Sequence, residues 1–133
     1  MTIKTIYKGD LRTEATHLQS GTTITTDAPT DNHGRGESFS PTDLLSAALG
    51  SCMLTIMGIA AQTHNFSIDG TEVEITKVMA TEPRRIGQII VEFTFPKNNY
   101  TDKEQMIIRA AALSCPVAQS LSEKLIQSLR FNF

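Results

Sequence analysis

The chain has 133 residues, of which 40% are apolar and 20% charged; this composition is typical of one folded domain, which we assign to residues 1–133. It excludes a disordered tail and a fibre. Twelve Lys and Arg against 14 Asp and Glu give a net charge of −2, so the chain lacks the broad positive field that holds nucleic acid or an anionic membrane.

The first forty residues favour β-structure followed by a loop. Ile3, Leu11 and the Thr-rich residues 21–27 are strand formers, and residues 17–21 read as the turn between two strands. Residues 29–38 contain almost nothing to bury, which predicts a long polar loop of the kind that often carries function. The N-terminus lacks the apolar stretch of a signal peptide, so we expect a cytoplasmic protein.

A long apolar helix is predicted to follow. Ser40 is a good N-cap, Pro41 suits the first helical position, and Asp43 completes a capping pattern. Residues 44–63 are apolar or small on nearly all sides, which is typical of an enclosed helix. A chain of this size has difficulty enclosing such a helix alone, so we expect an identical subunit to cover part of it. The polar and small residues within it argue against a membrane span.

The second half of the chain is predicted to contain a hairpin, two helices and a last strand. Residues 72–79 and 86–95 alternate with period two, which indicates an antiparallel hairpin with one wet face. A second capping box predicts a helix that runs through Leu113. The spacing of apolar residues then favours a third helix over residues 117–128 and a short strand over residues 129–133. This order indicates a segregated α+β fold.

The two cysteines are the main candidates for chemistry. Cys52 lies within the apolar helix, where a cysteine can also serve as a small core residue. Cys115 lies at the start of the third helix, where backbone N–H groups and the positive helix end stabilise a thiolate. Two such thiols suit peroxide reduction through a sulfenic acid and a disulfide, provided that their Cα atoms come within about 7 Å. Three histidines without ligand spacing give no reason to expect a metal.

Residues 40–52 (SPTDLLSAALGSC) and 114–117 (SCPV) resemble the two cysteine motifs of the OsmC/Ohr family of osmotically inducible proteins and organic hydroperoxide reductases. The element order is similar over essentially the whole chain. The resemblance implies an α+β fold with antiparallel sheets wrapped around long central helices in an intertwined homodimer. It implies that Cys52 is the peroxidatic and Cys115 the resolving thiol. It further implies organic or lipid hydroperoxides as substrates, a dithiol or lipoyl-bearing protein as reductant, and no metal, haem or flavin cofactor.

The chain departs from the family pattern at the carboxylate. Hydroperoxide reductases of the family pair the thiolate with an arginine and with a glutamate directly after the helix-starting proline. Here the acid comes one residue later, as Asp43, and one residue turns a side chain by about 100° around a helix. Asp43 could cap its helix only, and Glu37 in the polar loop is an alternative carboxylate. A buried thiol needs a cation in order to ionise, and we favour Arg12 over Arg35 for this role.

Three functions remain open from the sequence. The leading one is thiol-dependent reduction of organic hydroperoxides. The displaced carboxylate motivates a second, a non-catalytic ligand-binding protein of the same family. The third is a redox-switched stress protein, in which disulfide formation alters a surface and no peroxide is turned over.

Overall fold

The computed structural model describes residues 1–133. They form two compact units, residues 1–45 and residues 46–133, and the assignment of the whole chain to one domain stays a prediction. Two three-stranded sheets with few helices confirm the predicted α+β class. The elements in chain order are β1 (Ile3–Gly9), β2 (Arg12–His17), β3 (Thr23–Asp27), a 3-10 turn (Thr30–Asn32), α1 (Pro41–Thr63), β4 (Glu72–Ala80), β5 (Arg85–Thr94), α2 (Asp102–Leu113), α3 (Pro116–Ser120) and β6 (Ile126–Asn132).

The first unit is built on an antiparallel sheet in the order β1-β2-β3. A two-residue turn, Asp10 and Leu11, joins β1 to β2, and both residues have positive φ angles of 52° and 63°. The sequence predicted β-structure here with a single turn at residues 17–21, whereas the structure has a further turn and three strands. The middle strand, β2, has few apolar residues, and its pairing with strands on both sides defines it.

The second unit contains the sheet β4-β5-β6, with β5 at its centre. The predicted hairpin of β4 and β5 is confirmed, and exposed residues alternate with half-buried ones along β4. β5 carries the core of the sheet through Ile89, Val91 and Phe93, which are fully buried. β6 pairs with β5 in parallel, because the chain crosses over through α2 and α3 before it returns.

Helix α1 begins at Pro41, as the capping residues predicted, and ends at Thr63, where the apolar run ends. In the single chain it is buried along one side only. Its length and apolar composition would suffice to cross a membrane, a test that the core helices of soluble proteins also pass. Coverage of its other side by an identical subunit stays a prediction. The exposed side follows helical spacing: Ala48, Ser51, Thr55 and Ile59.

Helix α2 begins with the predicted capping box. The Thr101 N–H donates to Glu104 Oε2 at 2.8 Å, and the Glu104 N–H donates to Thr101 Oγ1 at 3.1 Å. These two bonds satisfy backbone donors that the first turn of a helix leaves unpaired.

The predicted third helix over residues 117–128 is wrong. Helix α3 ends at Ser120, and Leu121 already has extended backbone angles. A turn follows, in which the Lys124 N–H donates to Ser122 Oγ. The last strand begins at Ile126, three residues before the predicted start, because pairing with β5 along its whole length outweighs the local helical spacing of apolar residues.

Candidate functional site

The two cysteines meet in the second unit. Both are free thiols; Cys52 in α1 is partly exposed, and Cys115 at the N-cap of α3 is fully buried. The Cys52 side chain lies near enough to Cys115 to raise the pKa of its thiol. Neighbouring thiols can be joined in a disulfide where their Cα atoms approach within about 7 Å.

Burial governs the protonation of Cys115. It raises the pKa of the Cys115 thiol above its ordinary value, and the neighbouring Cys52 side chain adds to that effect. The Ala118 N–H donates to Cys115 Sγ at 3.2 Å and lowers the pKa, but by less. The helix end stabilises a thiolate at Cys115, as expected, but burial of the sulfur outweighs this effect. A five-residue helix offers a weak dipole, whereas the buried sulfur has lost its hydration entirely.

A glycine seats α1 closely on the sheet next to Cys52. A Cβ atom on Gly50 would lie 2.4 Å from Ile75 Cδ1 of β4, so a larger residue would force the Ile75 side chain to move. Met53 and Met57 on the same helix are fully buried. The partly exposed Cys52 therefore sits on a helix whose inner side is fixed in a dry, apolar core.

Arg12 and Glu37 form an ion pair in the first unit. Arg12 Nη2 donates to Glu37 Oε2 in a short hydrogen bond. This bond, followed by the charge of Glu37, raises the pKa of the Arg12 guanidinium further above its ordinary value, so the group is a permanent cation. A cavity of about 350 Å³ opens beside the pair, and both side chains line it together with Ser38.

The loop that carries Glu37 is folded tightly against β3. A Cβ atom on Gly34 would lie 1.6 Å from the Ala28 carbonyl oxygen, so only glycine fits there. The Gly34 N–H donates to the Pro29 carbonyl at 3.0 Å. Gly36 has a φ of 65°, a conformation that glycine adopts without strain. These contacts fix the path of the backbone up to Glu37.

Asp27 at the end of β3 is a residue that the sequence analysis missed. It is 1% exposed, its Oδ2 atom accepts the Glu37 N–H at 3.1 Å, and Arg12 Nη2 lies 3.6 Å from the same oxygen. Directly opposite it in the strand register stands Arg12. An aspartate at the end of a Thr-rich strand looks like an ordinary turn residue. Only the strand register, which pairs Asp27 with Arg12, could have shown that it belongs to the site.

The other sequence candidates lie elsewhere. Asp43 caps α1: its Oδ2 atom accepts the Ser40 N–H at 3.0 Å, and its own N–H donates to Ser40 Oγ at 3.1 Å. Arg35 is exposed in the polar loop. Arg12, Glu37 and Asp43 belong to the first unit, and both cysteines belong to the second. No group of three or more His, Cys, Asp or Glu side chains is arranged to hold a metal ion.

Comparison with known proteins places this arrangement in a family. Residues 34–128 match the family model for OsmC-like proteins. A crystal structure from Psychrobacter arcticus 273-4, of a protein named for osmotic stress induction and a detoxification response, is 50% identical in sequence. It superposes with a TM-score of 0.95 over 99% of this chain and 96% of that one. The comparison with curated proteins found no match.

More distant structures share the fold. The organic hydroperoxide resistance protein OsmC of Legionella pneumophila is 14% identical and has a TM-score of 0.74, covering 100% of this chain and 98% of that one. The organic hydroperoxide resistance protein OhrB of Bacillus subtilis is 19% identical and has a TM-score of 0.70, covering 99% and 98%. With a family model that matches most of its length and a relative that is half identical throughout, this chain belongs to the family of OsmC-like proteins.

Proposed function

We propose that this protein reduces organic hydroperoxides with its two thiols. The thiolate of Cys52 attacks the peroxide O–O bond and takes one oxygen as a sulfenic acid, and the other oxygen leaves, with a proton, as an alcohol. The Cys115 thiol then condenses with the sulfenic acid to give a disulfide and water. A dithiol reopens the disulfide and is itself oxidised. The proposal is carried by the pairing of a partly exposed cysteine with a fully buried one whose pKa it raises, in a chain of the OsmC-like family.

Exposure and protonation support the order of the two roles. Cys52 is the partly exposed sulfur, so a peroxide can reach it, whereas Cys115 is fully buried. The raised pKa keeps Cys115 protonated at neutral pH, where it is a poor nucleophile toward peroxide. The roles are therefore peroxidatic for Cys52 and resolving for Cys115.

We assign stabilisation of the thiolate to Arg12 and its carboxylate partner to Glu37. The ion pair of these two side chains supplies the arginine and the acid that the chemistry requires. The acid comes from the polar loop before α1, whereas the family pattern has a glutamate directly after the helix-starting proline. Asp43, the other candidate acid, holds the first turn of α1 through both of its bonds with Ser40. Replacement of Arg12 by Ala should lower kcat/KM by about tenfold or more, whereas Arg35→Ala should leave it unchanged.

The substrate and reductant follow from the site and from the relatives. The exposed side of α1 includes the apolar residues Ala48 and Ile59, which suits an organic or lipid hydroperoxide better than hydrogen peroxide. The proteins of Legionella pneumophila and Bacillus subtilis, which share the fold, are named for resistance to organic hydroperoxides. We propose a small dithiol or a lipoyl-bearing protein as reductant, and the cytoplasm, where resting thiols stay reduced, as the location.

We further propose that the protein is a homodimer. The outer side of α1 presents small and apolar residues to solvent, among them Ile59 at 55% exposure, and the first sheet exposes Ile3 and Ile6. A second copy of the chain would cover these surfaces. Ile59→Arg should convert the dimer to a monomer in sedimentation analysis, and Thr81→Arg in the exposed turn between β4 and β5 is the control for added charge.

The test is peroxide consumption by the reduced protein with cumene hydroperoxide and a dithiol. We expect turnover and a Cys52–Cys115 disulfide by mass spectrometry. Cys52→Ser should abolish both, and Cys115→Ser should leave Cys52 to be oxidised to the sulfinic acid. Thr55→Ser, one turn from Cys52, is the matched control. Reaction no faster than a free thiol would favour the non-catalytic ligand-binding protein, and a disulfide that no dithiol reopens would favour the redox switch.

A further inference from the structure

The buried carboxylate of Asp27 has no role in the chemistry described so far. It is 1% exposed, and its Oδ1 atom is buried without a hydrogen-bond partner. Burial of a charge with half of its acceptor capacity unused is costly, and native proteins rarely retain such a group without a reason. The role of Asp27 is therefore to be sought in the contacts of its second carboxylate oxygen, Oδ2.

That oxygen, Oδ2, touches both members of the ion pair. It accepts the backbone N–H of Glu37 at 3.1 Å and lies 3.6 Å from Nη2 of Arg12. Asp27 and Arg12 are directly paired residues of β3 and β2, so the sheet holds their backbones in fixed register. One rigid atom thus ties the loop that carries the carboxylate to the strand that carries the cation.

The ion pair needs such an anchor because it is largely open to solvent. The Arg12 side chain is 38% exposed and that of Glu37 is 56% exposed. Long side chains in such pairs sample many rotamers and gain little from their charges in water. Asp27 has short reach, few rotamers and a buried position, and it restricts both partners at once.

We propose that Asp27 is a positioning residue that fixes the orientation of the Arg12 guanidinium and the place of Glu37. The proposal rests on the role assigned above to Arg12 in stabilising the Cys52 thiolate. Asp27 would act through geometry. A guanidinium that is already held in one orientation loses little further conformational entropy when it stabilises the thiolate.

Asp27→Asn tests the proposal because it keeps the size of the side chain and an oxygen that can accept the Glu37 N–H. We expect kcat/KM for cumene hydroperoxide to fall by about tenfold and the pH profile of Cys52 alkylation by iodoacetamide to move to higher pH. In an Arg12→Ala background the same substitution should change kcat/KM by less than about twofold, because a positioning residue acts through its partner.

Asp10→Asn is the matched control. Asp10 acts on Arg12 by charge alone and without contact, and asparagine tolerates its positive φ of 52°. We expect no change in rate or pH profile. An effect of Asp10→Asn as large as that of Asp27→Asn would overturn the proposal in favour of a general field effect.

A direct measurement separates this inference from the proposed function. ¹⁵N relaxation of the Arg12 Nε–H group should show faster side-chain motion in Asp27→Asn than in the wild type, whether or not the protein reduces peroxides. Unchanged relaxation would refute the positioning role even in an active enzyme. Failure of both Asp27→Asn and Asp27→Ser to fold would assign Asp27 to the fold itself and would equally overturn it.

Discussion

Replacement of Gly34 by alanine probes the loop that delivers Glu37 to Arg12. The new Cβ atom would lie 1.6 Å from the carbonyl oxygen and 2.0 Å from the carbonyl carbon of Ala28. To reach an ordinary contact of 3.4 Å, the two backbone segments must separate by about 1.8 Å. Neither atom belongs to a flexible side chain that could turn aside.

The cost has two parts. Forcing an extra methyl into a packed site costs about 1–3 kcal/mol, and loss of the hydrogen bond from the Gly34 N–H to Pro29 adds about 1 kcal/mol. We therefore expect Gly34→Ala to lower the free energy of unfolding by about 2–4 kcal/mol. Glu37 should lose its contact with Asp27, so peroxide reduction should fall toward the rate of Glu37→Gln.

Urea unfolding followed by circular dichroism, at one fixed protein concentration, measures the first effect. Arg35→Ala is the control, because it changes an exposed neighbour in the same loop and should shift the free energy by less than about 0.5 kcal/mol. A Gly34→Ala protein as stable as the wild type would refute the reasoning, since it would mean that the loop does not approach Ala28 closely in solution.

Three further predictions concern the rest of the chain. The folded protein raises the pKa of Cys115, so its neutral thiol stabilises the fold fully below the unfolded-state pKa near 8.5, and this stabilisation is lost as pH rises toward the folded-state pKa. In urea unfolding at several alkaline pH values, the free energy of unfolding should therefore fall less steeply with pH in Cys115→Ala than in the wild type. Equal slopes would contradict the raised pKa. Leu11→Gly should raise the free energy of unfolding by about 1 kcal/mol, because a bulky residue at a φ of 63° is strained and an Asp-Gly pair suits this turn. A lower free energy of unfolding in urea would show that the leucine side chain stabilises the fold by more than the strain costs. Thr101→Ala should lower the free energy of unfolding by about 1 kcal/mol through loss of the bond from the Glu104 N–H, as measured by urea unfolding. A stability equal to the wild type would show that water replaces the cap.

Elements with local signals could be predicted from the sequence. Ser40 and Pro41 marked the start of α1, and Thr101 with Glu104 marked that of α2, because capping depends on residues within one turn of each other. The last part of the chain could not be predicted in this way. The same apolar spacing fits a helix or a strand, and the choice depends on β5, which is distant in sequence.

In the candidate site, too, features with local sequence signals could be predicted, and features that depend on the packed chain could not. Motif residues pointed to both cysteines, and in the structure Cys52 lies near enough to Cys115 to raise the pKa of its thiol. The sequence left two acids open as partners of Arg12, since only the path of the loop decides that Glu37 reaches it. The position of Cys115 at a helix start was predicted, but its pKa was not, because the extent of burial is a property of the packed chain.

The pairing of β2 with β3 has a consequence for sequence drift. Successive side chains of a strand point to opposite faces, so a slip by a single position would turn Arg12 away from Asp27 and out of reach of Glu37. Exposed residues such as Leu18 and Gln19 in the turn between the strands can change in kind, whereas Gly21, with a φ of 74°, is restricted. A deletion or insertion in this turn that shifts the strand register would abolish the function of the site, although none of the site residues would be replaced. Homologues should vary in the composition of this turn far more than in its length.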